Sequence, residues 1–101
     1  MKMMWLYLVL VVGTISVNAV ASDELSTAQI RALVKQGEIL SLEVIKQRHQ
    51  ALMQGKLLDL EVENEQGRIL YEMDFLRENG DVMELKIDAR SGEILKQEIE
   101  R

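Results

Sequence analysis

One histidine and a set of alternating carboxylates are the residues of this 101-residue chain best equipped for chemistry. His49 would titrate near neutrality if unperturbed, which suits a general base or a metal ligand. A base, however, needs an activated nucleophile and an orienting group, and zinc needs three or four protein ligands. The chain has no cysteine and no second histidine, so His49 would depend on carboxylates alone. It falls beside the apolar stripe of an expected helix and is read as a boundary residue. Ser26 and Ser41 are placed to cap helices and Ser91 to shape a turn, rather than to attack a substrate. No Gly-x-Ser-x-Gly elbow and no glycine-rich phosphate loop occurs in the sequence. No catalytic, cofactor or metal residue is therefore assigned, and the chain is read as a non-enzyme.

The carboxylates Asp59, Glu61, Glu63, Glu72 and Asp74 are separated by apolar residues. That spacing places them together on the solvent face of a sheet. They could dock a basic partner or hold calcium weakly, and a simple solvated face is the plainer reading.

Length and composition narrow the field. A chain of this size holds one domain, and its 48% hydrophobic and 29% charged residues suit a folded one. Without cysteine there is neither a disulfide framework nor a thiolate site. The 12 basic residues against 17 acidic ones give a net charge of −5, which argues against nucleic acid as a partner.

Residues 1–21 read as a cleavable signal peptide and 22–101 as the single domain that follows it. Met1-Lys2 gives the positive start, Trp5 to Ile15 the apolar core, and Ala19-Val20-Ala21 the small residues before Ser22. The apolar run falls short of the roughly 20 residues that cross a bilayer. Export to the periplasm or medium is expected, with no stable membrane anchor after cleavage. Removing this segment takes away one positive charge, Lys2, and leaves the product more acidic.

After the signal, apolar spacing predicts a short helix through Ile30, Leu33 and Val34, ended by Gly37. A second, main helix is expected from a Ser41 cap through Leu42, Ile45, His49, Leu52 and Met53, as far as Gly55. Beyond Gly55 the period falls to two, which predicts strands. Leu58, Leu60 and Val62 mark the first, and Ile69, Tyr71, Met73 and Phe75 the second. Met83, Leu85 and Ile87 mark a third, with a weaker one from Glu93 to Ile99. The fold class is thus α+β, a main helix and a short one packed on an antiparallel meander of three to four strands.

Facing residues of a hairpin must point to one side of the sheet, so parity constrains the turns. Val62 opposite Ile69 leaves Asn64-Glu65-Gln66-Gly67 as a loop, sets Glu63 against Arg68 and brings Asp59 to face Glu72. At the next turn a two-residue Asn79-Gly80 loop would pair Phe75 with Glu84. A Glu78-Asn79-Gly80 loop instead pairs Phe75 with Met83, Tyr71 with Ile87, Arg77 with Asp81, and Glu72 with Lys86. At the last turn, Arg90-Ser91-Gly92 sets Ile87 against Leu95, with Ile94 taking the core in an alternative register.

The text Gly80-Asp81-Val82-Met83-Glu84-Leu85-Lys86-Ile87-Asp88-Ala89-Arg90-Ser91-Gly92-Glu93-Ile94-Leu95, preceded by Arg68-Ile69-Leu70-Tyr71-Glu72-Met73, resembles a PepSY domain. Upstream, Gly37 to Leu42 and Gly55 to Val62 resemble short exported members of that family. The resemblance implies a helix packed on an antiparallel sheet. It also implies a link to peptidases, because such domains occur in propeptides of secreted metallopeptidases and are proposed to restrain them. No peptidase follows in this chain, so inhibition would act in trans. The expected role is a protein-binding module that modulates a partner, a peptidase or else an envelope sensor kinase. A weak metal or small-ligand carrier is the alternative from another class.

Overall fold

A computed structural model describes residues 22–100; the expected signal segment lies outside the described residues. The elements run β1 (Ser22–Glu24), α1 (Thr27–Lys35), α2 (Leu42–Arg48), β2 (Lys56–Glu65), β3 (Arg68–Leu76), β4 (Val82–Asp88) and β5 (Ile94–Glu100). The strands form one antiparallel sheet in the order β1-β2-β3-β4-β5. Among the described residues no helix is long and apolar enough to cross a membrane.

Both helices start where a serine side chain can take an orphan backbone amide. Ser26 Oγ accepts from the Gln29 amide while the Gln29 side chain accepts from the Ser26 amide, a reciprocal capping box. Ser41 Oγ accepts from the Val44 amide. Gly37 follows α1 at φ +76°, the left-handed conformation that releases the chain from a helix.

The two-residue period sorts the strands into two faces. Tyr71, Met73 and Phe75 of β3 pack with Met83, Leu85 and Ile87 of β4, beneath Ile39 and Ile45 from the helical side. Tyr71 donates its hydroxyl to the Leu40 carbonyl at 2.6 Å, and the Leu40 amide reaches the Ala89 carbonyl at 2.7 Å. The linker between the helices is thereby fastened to the middle of the sheet. Among the described residues no helix covers the opposite face, which carries the carboxylates.

Four features differ from the sequence reading. The sheet has five strands rather than three to four; the extra one, β1, is three residues long and has no period to read. The main helix is shorter than expected, ending at Arg48. The chain turns at His49, whose carbonyl then receives the amides of Leu52 and Met53, and this turn still delivers both side chains to the core.

The β2–β3 hairpin is tighter than expected. Val62 faces Tyr71 rather than Ile69, Glu65 replaces Glu63 opposite Arg68, and Glu72 faces Glu61 while Asp59 faces Asp74. Gln66 and Gly67 both take positive φ, 54° and 88°, forming the two-residue turn that matches sheet twist. The Asn64 side chain accepts from the Gly67 amide at 2.7 Å and holds that turn closed. At the last hairpin, Ile94 rather than Leu95 faces Ile87, and the register shifts between Lys86 and Ile87. The β3–β4 hairpin follows the expected pairing, with Phe75 on Met83, Tyr71 on Ile87 and Glu72 on Lys86.

Candidate functional site

The uncovered face of the sheet is built in rungs. Glu61, Glu72, Lys86 and Lys96 form one, and Asp59, Asp74, Glu84 and Glu98 the next. Glu24, Glu63, Leu70 and Asp88 make a third toward the β2–β3 turn. All five carboxylates expected on this face are there, because β2 and β3 keep their alternation up to the bulge between Leu57 and Asp59.

Crowding of like charge governs the electrostatics. Carboxylate oxygens of Glu61, Glu63 and Glu72 all lie within 4.8 Å of one another. Burial, a side-chain hydrogen bond with Glu72 and the charges of Glu72, Glu61 and Glu65 push the Glu63 carboxyl up to about 7. Asp74 is also raised, by burial first and then by Glu84, Asp59 and Glu72. Lys86 answers part of this charge, reaching Glu72 at 2.9 Å and Glu65 at 3.6 Å. Those contacts hold its ammonium charged above the ordinary lysine range.

Chemically, the face can share protons between carboxyls, attract a cation or receive basic side chains. An open cleft of about 180 Å³ lies along it, lined by Asp59, Glu61, Glu72, Asp74, Glu84 and Glu100 with Met73. Glu61, Glu63 and Glu72 are the residues that could converge on one ion, although a Glu63 that holds its proton up to neutrality opposes such binding.

The other residues with chemical potential have structural partners. His49 caps α2 and its Nε2 lies 2.7 Å from the Gly92 carbonyl oxygen. Arg48 donates to the neighbouring Ser91 carbonyl at 2.9 Å. Ser91 Oγ accepts from the Glu93 amide. Among the described residues Ser26, Ser41 and Ser91 accept backbone amides and His49 faces a backbone carbonyl, each bond holding a cap or a turn.

The Asp-Ala-x-x-Gly text after β4 proves to be a folded turn. Asp88 Oδ1 accepts from the amides of Arg90 and Ser91, and Arg68 Nε donates to its other oxygen at 2.9 Å. Burial alone would raise the Asp88 carboxyl; the Ser91 amide, the Arg68 guanidinium and the Arg90 amide outweigh it and hold it below its ordinary value. Ala89 is fully buried. Gly92 takes φ +79°, and a methyl there would press on Arg48 and Leu40. This text positions the helices over the sheet.

The sequence reading had no means to find two other features. Leu70 is 2% exposed although it points away from the helices. Leu58 and Leu60, at the outer margin of β2, are 48% and 36% exposed.

A family model described as peptidase propeptide and YPEB domain, PepSY, matches residues 39–98. No curated protein and no solved structure matches the chain.

Proposed function

The chain belongs to the PepSY family, and on that premise we propose that it is an exported, non-enzymatic module that binds another protein and modulates it. The family suggests a propeptide-like or regulatory binding module. The observation that carries the reading is the division of the sheet, with one face closed by the helices and the other left uncovered and rich in carboxylates. Export is supported by the layout of residues 1–21, and the periplasm is the compartment proposed. The partner proposed first is a peptidase, inhibited in trans, because the family description includes peptidase propeptides.

Crosslinking the protein in its native envelope, followed by identification of the adduct, tests this reading. A specific protein adduct is expected. An envelope in which the chain forms no protein adduct would remove the module reading. An adduct with a protein other than a peptidase, without inhibition of peptidases from the same envelope, would remove the inhibitor version alone.

A further inference from the structure

The geometry points to the free margin of β2 as a strand-addition site for an extended polypeptide of the pattern basic–apolar–basic. This inference rests on the binding-module reading and names the partner chemistry that the module would recognise.

The margin is open because β1 is short. It pairs only with Glu63, Asn64 and Glu65 of β2, and one further bond runs from the Leu25 amide to the Val62 carbonyl at 2.7 Å. The chain then leaves into α1. Lys56–Glu61 has β3 on one side and, among the described residues, no strand on the other. Since Val62 presents its carbonyl to the β1 side, the two-residue alternation turns the Leu60 N–H and C=O the same way. Among the described residues neither meets a backbone partner on that side, so both can pair with an incoming backbone. A strand entering in line with β1 would run antiparallel to β2, as β1 does.

The side chains beside this margin define what could enter. Asp59 and Glu61 lie on the carboxylate face and make no ion pair among the described residues, with Lys86 committed to Glu72 and Glu65. An added strand therefore meets unneutralised negative charge at both positions, with Asp74 opposite Asp59 on the adjacent strand. Leu60, between them, points to the opposite face and is 36% exposed, with Leu58 more exposed still at the bulge. Alternation in the incoming strand then requires basic residues opposite Asp59 and Glu61 and an apolar one opposite Leu60. Main-chain pairing supplies affinity, and the alternating side chains supply choice.

The far margin of the sheet is different. Lys96 on β5 already pairs with Glu84 and Glu98, and mixed, self-paired charge is a common way to keep an edge closed.

The test uses the full chain with fluorescent octapeptides of alternating Lys and Val, of alternating Glu and Val, and of Lys and N-methyl-Val, read by anisotropy and amide exchange. The Lys-Val peptide should bind and slow exchange of the Leu60 amide. The Glu-Val and N-methylated peptides should bind weaker by on the order of tenfold or more. The variant D59K/E61K, checked by circular dichroism for an unchanged fold, should lose the Lys-Val peptide to the same extent. No binding of the Lys-Val peptide, equal binding of its N-methylated form, or protection on β5 in place of Leu60 would overturn the proposal. A chain that yields a protein adduct in the envelope yet fails these peptide tests would keep the module and discard this margin. Peptide binding at Leu60 without any adduct would do the reverse.

Discussion

Tyr71 and Leu40 are joined by a hydrogen bond of 2.6 Å from the tyrosine hydroxyl to the backbone carbonyl. It links the central strand of the core to the linker between the helices, next to the bond from the Leu40 amide to the Ala89 carbonyl, and so helps to seat the helices on the sheet. Burial disfavours the charged phenolate and pushes the pKa of that phenol above its ordinary value, so the donor keeps its proton across the physiological range.

Tyr71→Phe keeps the ring in the core and leaves the Leu40 carbonyl without this donor. A loss of about 1–2 kcal/mol is expected, read as a lower urea midpoint with an unchanged slope. An unchanged midpoint would mean that this bond adds nothing to the apolar packing and the other hydrogen bonds that seat the helices.

Glu63 makes stability depend on pH. Its carboxyl is raised in the fold to about 7 from 4.5, so the native state binds more protons than the unfolded chain between those values. Stability from this group is complete below the lower value and is lost as pH rises toward neutrality. The groups facing it are Glu24 on β1, Glu61 and Glu65 on its own strand, and Glu72 on β3, with Lys86 of β4 paired to Glu65 and Glu72. Water screens a half-buried carboxyl, so the loss should be roughly 1–2 kcal/mol. Urea melts at pH 5 and pH 8 should show it, and Glu63→Gln should flatten the difference. A wild-type melt that is flat over this range would contradict the crowding described for the sheet face.

Asp88 gives the opposite slope at lower pH. Its carboxyl is held below the ordinary 3.8 by its amide and guanidinium partners, so its contribution is present above that value and fades as acid protonates it in the fold. Asp88→Ala removes the acceptor for two turn amides and for Arg68, and a loss of about 2–4 kcal/mol is expected. Thermal melts at neutral pH check it; a cost near zero would show that the turn folds without its aspartate.

Gly55 has no room for a side chain. It sits at φ +102°, and a methyl there would strike the Leu76 carbonyl on the neighbouring strand. Gly55→Ala is expected to cost about 2–4 kcal/mol, whereas Gly67→Ala, at a positive φ but facing open space, should cost about 1–2 kcal/mol. Equal melting temperatures for the two variants would contradict the close approach at Gly55.

Periodicity made the strands and their faces readable, since Val62, Tyr71 and Met83 can satisfy the core in one phase only. Parity also gave the β3–β4 pairing, where one loop length alone kept Phe75 off Glu84. The first hairpin escaped because Val62 facing Ile69 and Val62 facing Tyr71 have the same parity. The choice between them lay in Gln66 adopting a left-handed conformation, for which its residue type gives little signal. β1 was hidden by its length, and the early end of α2 by bonds from His49 and Arg48 to residues more than forty positions away. Of the candidate surface, the shared carboxylate face was legible, but the open margin beside Leu60 was not, because it exists only where β1 stops.

Site-specific photocrosslinking in the native envelope tests the central claim most directly, with a photoreactive residue placed at Leu60 and, separately, at the exposed Gln36 that ends α1 beside the β2–β3 turn. The expected result is one discrete protein adduct from position 60, absent from position 36 and lost in D59K/E61K. Adducts from both positions alike, or none from position 60, would contradict the account.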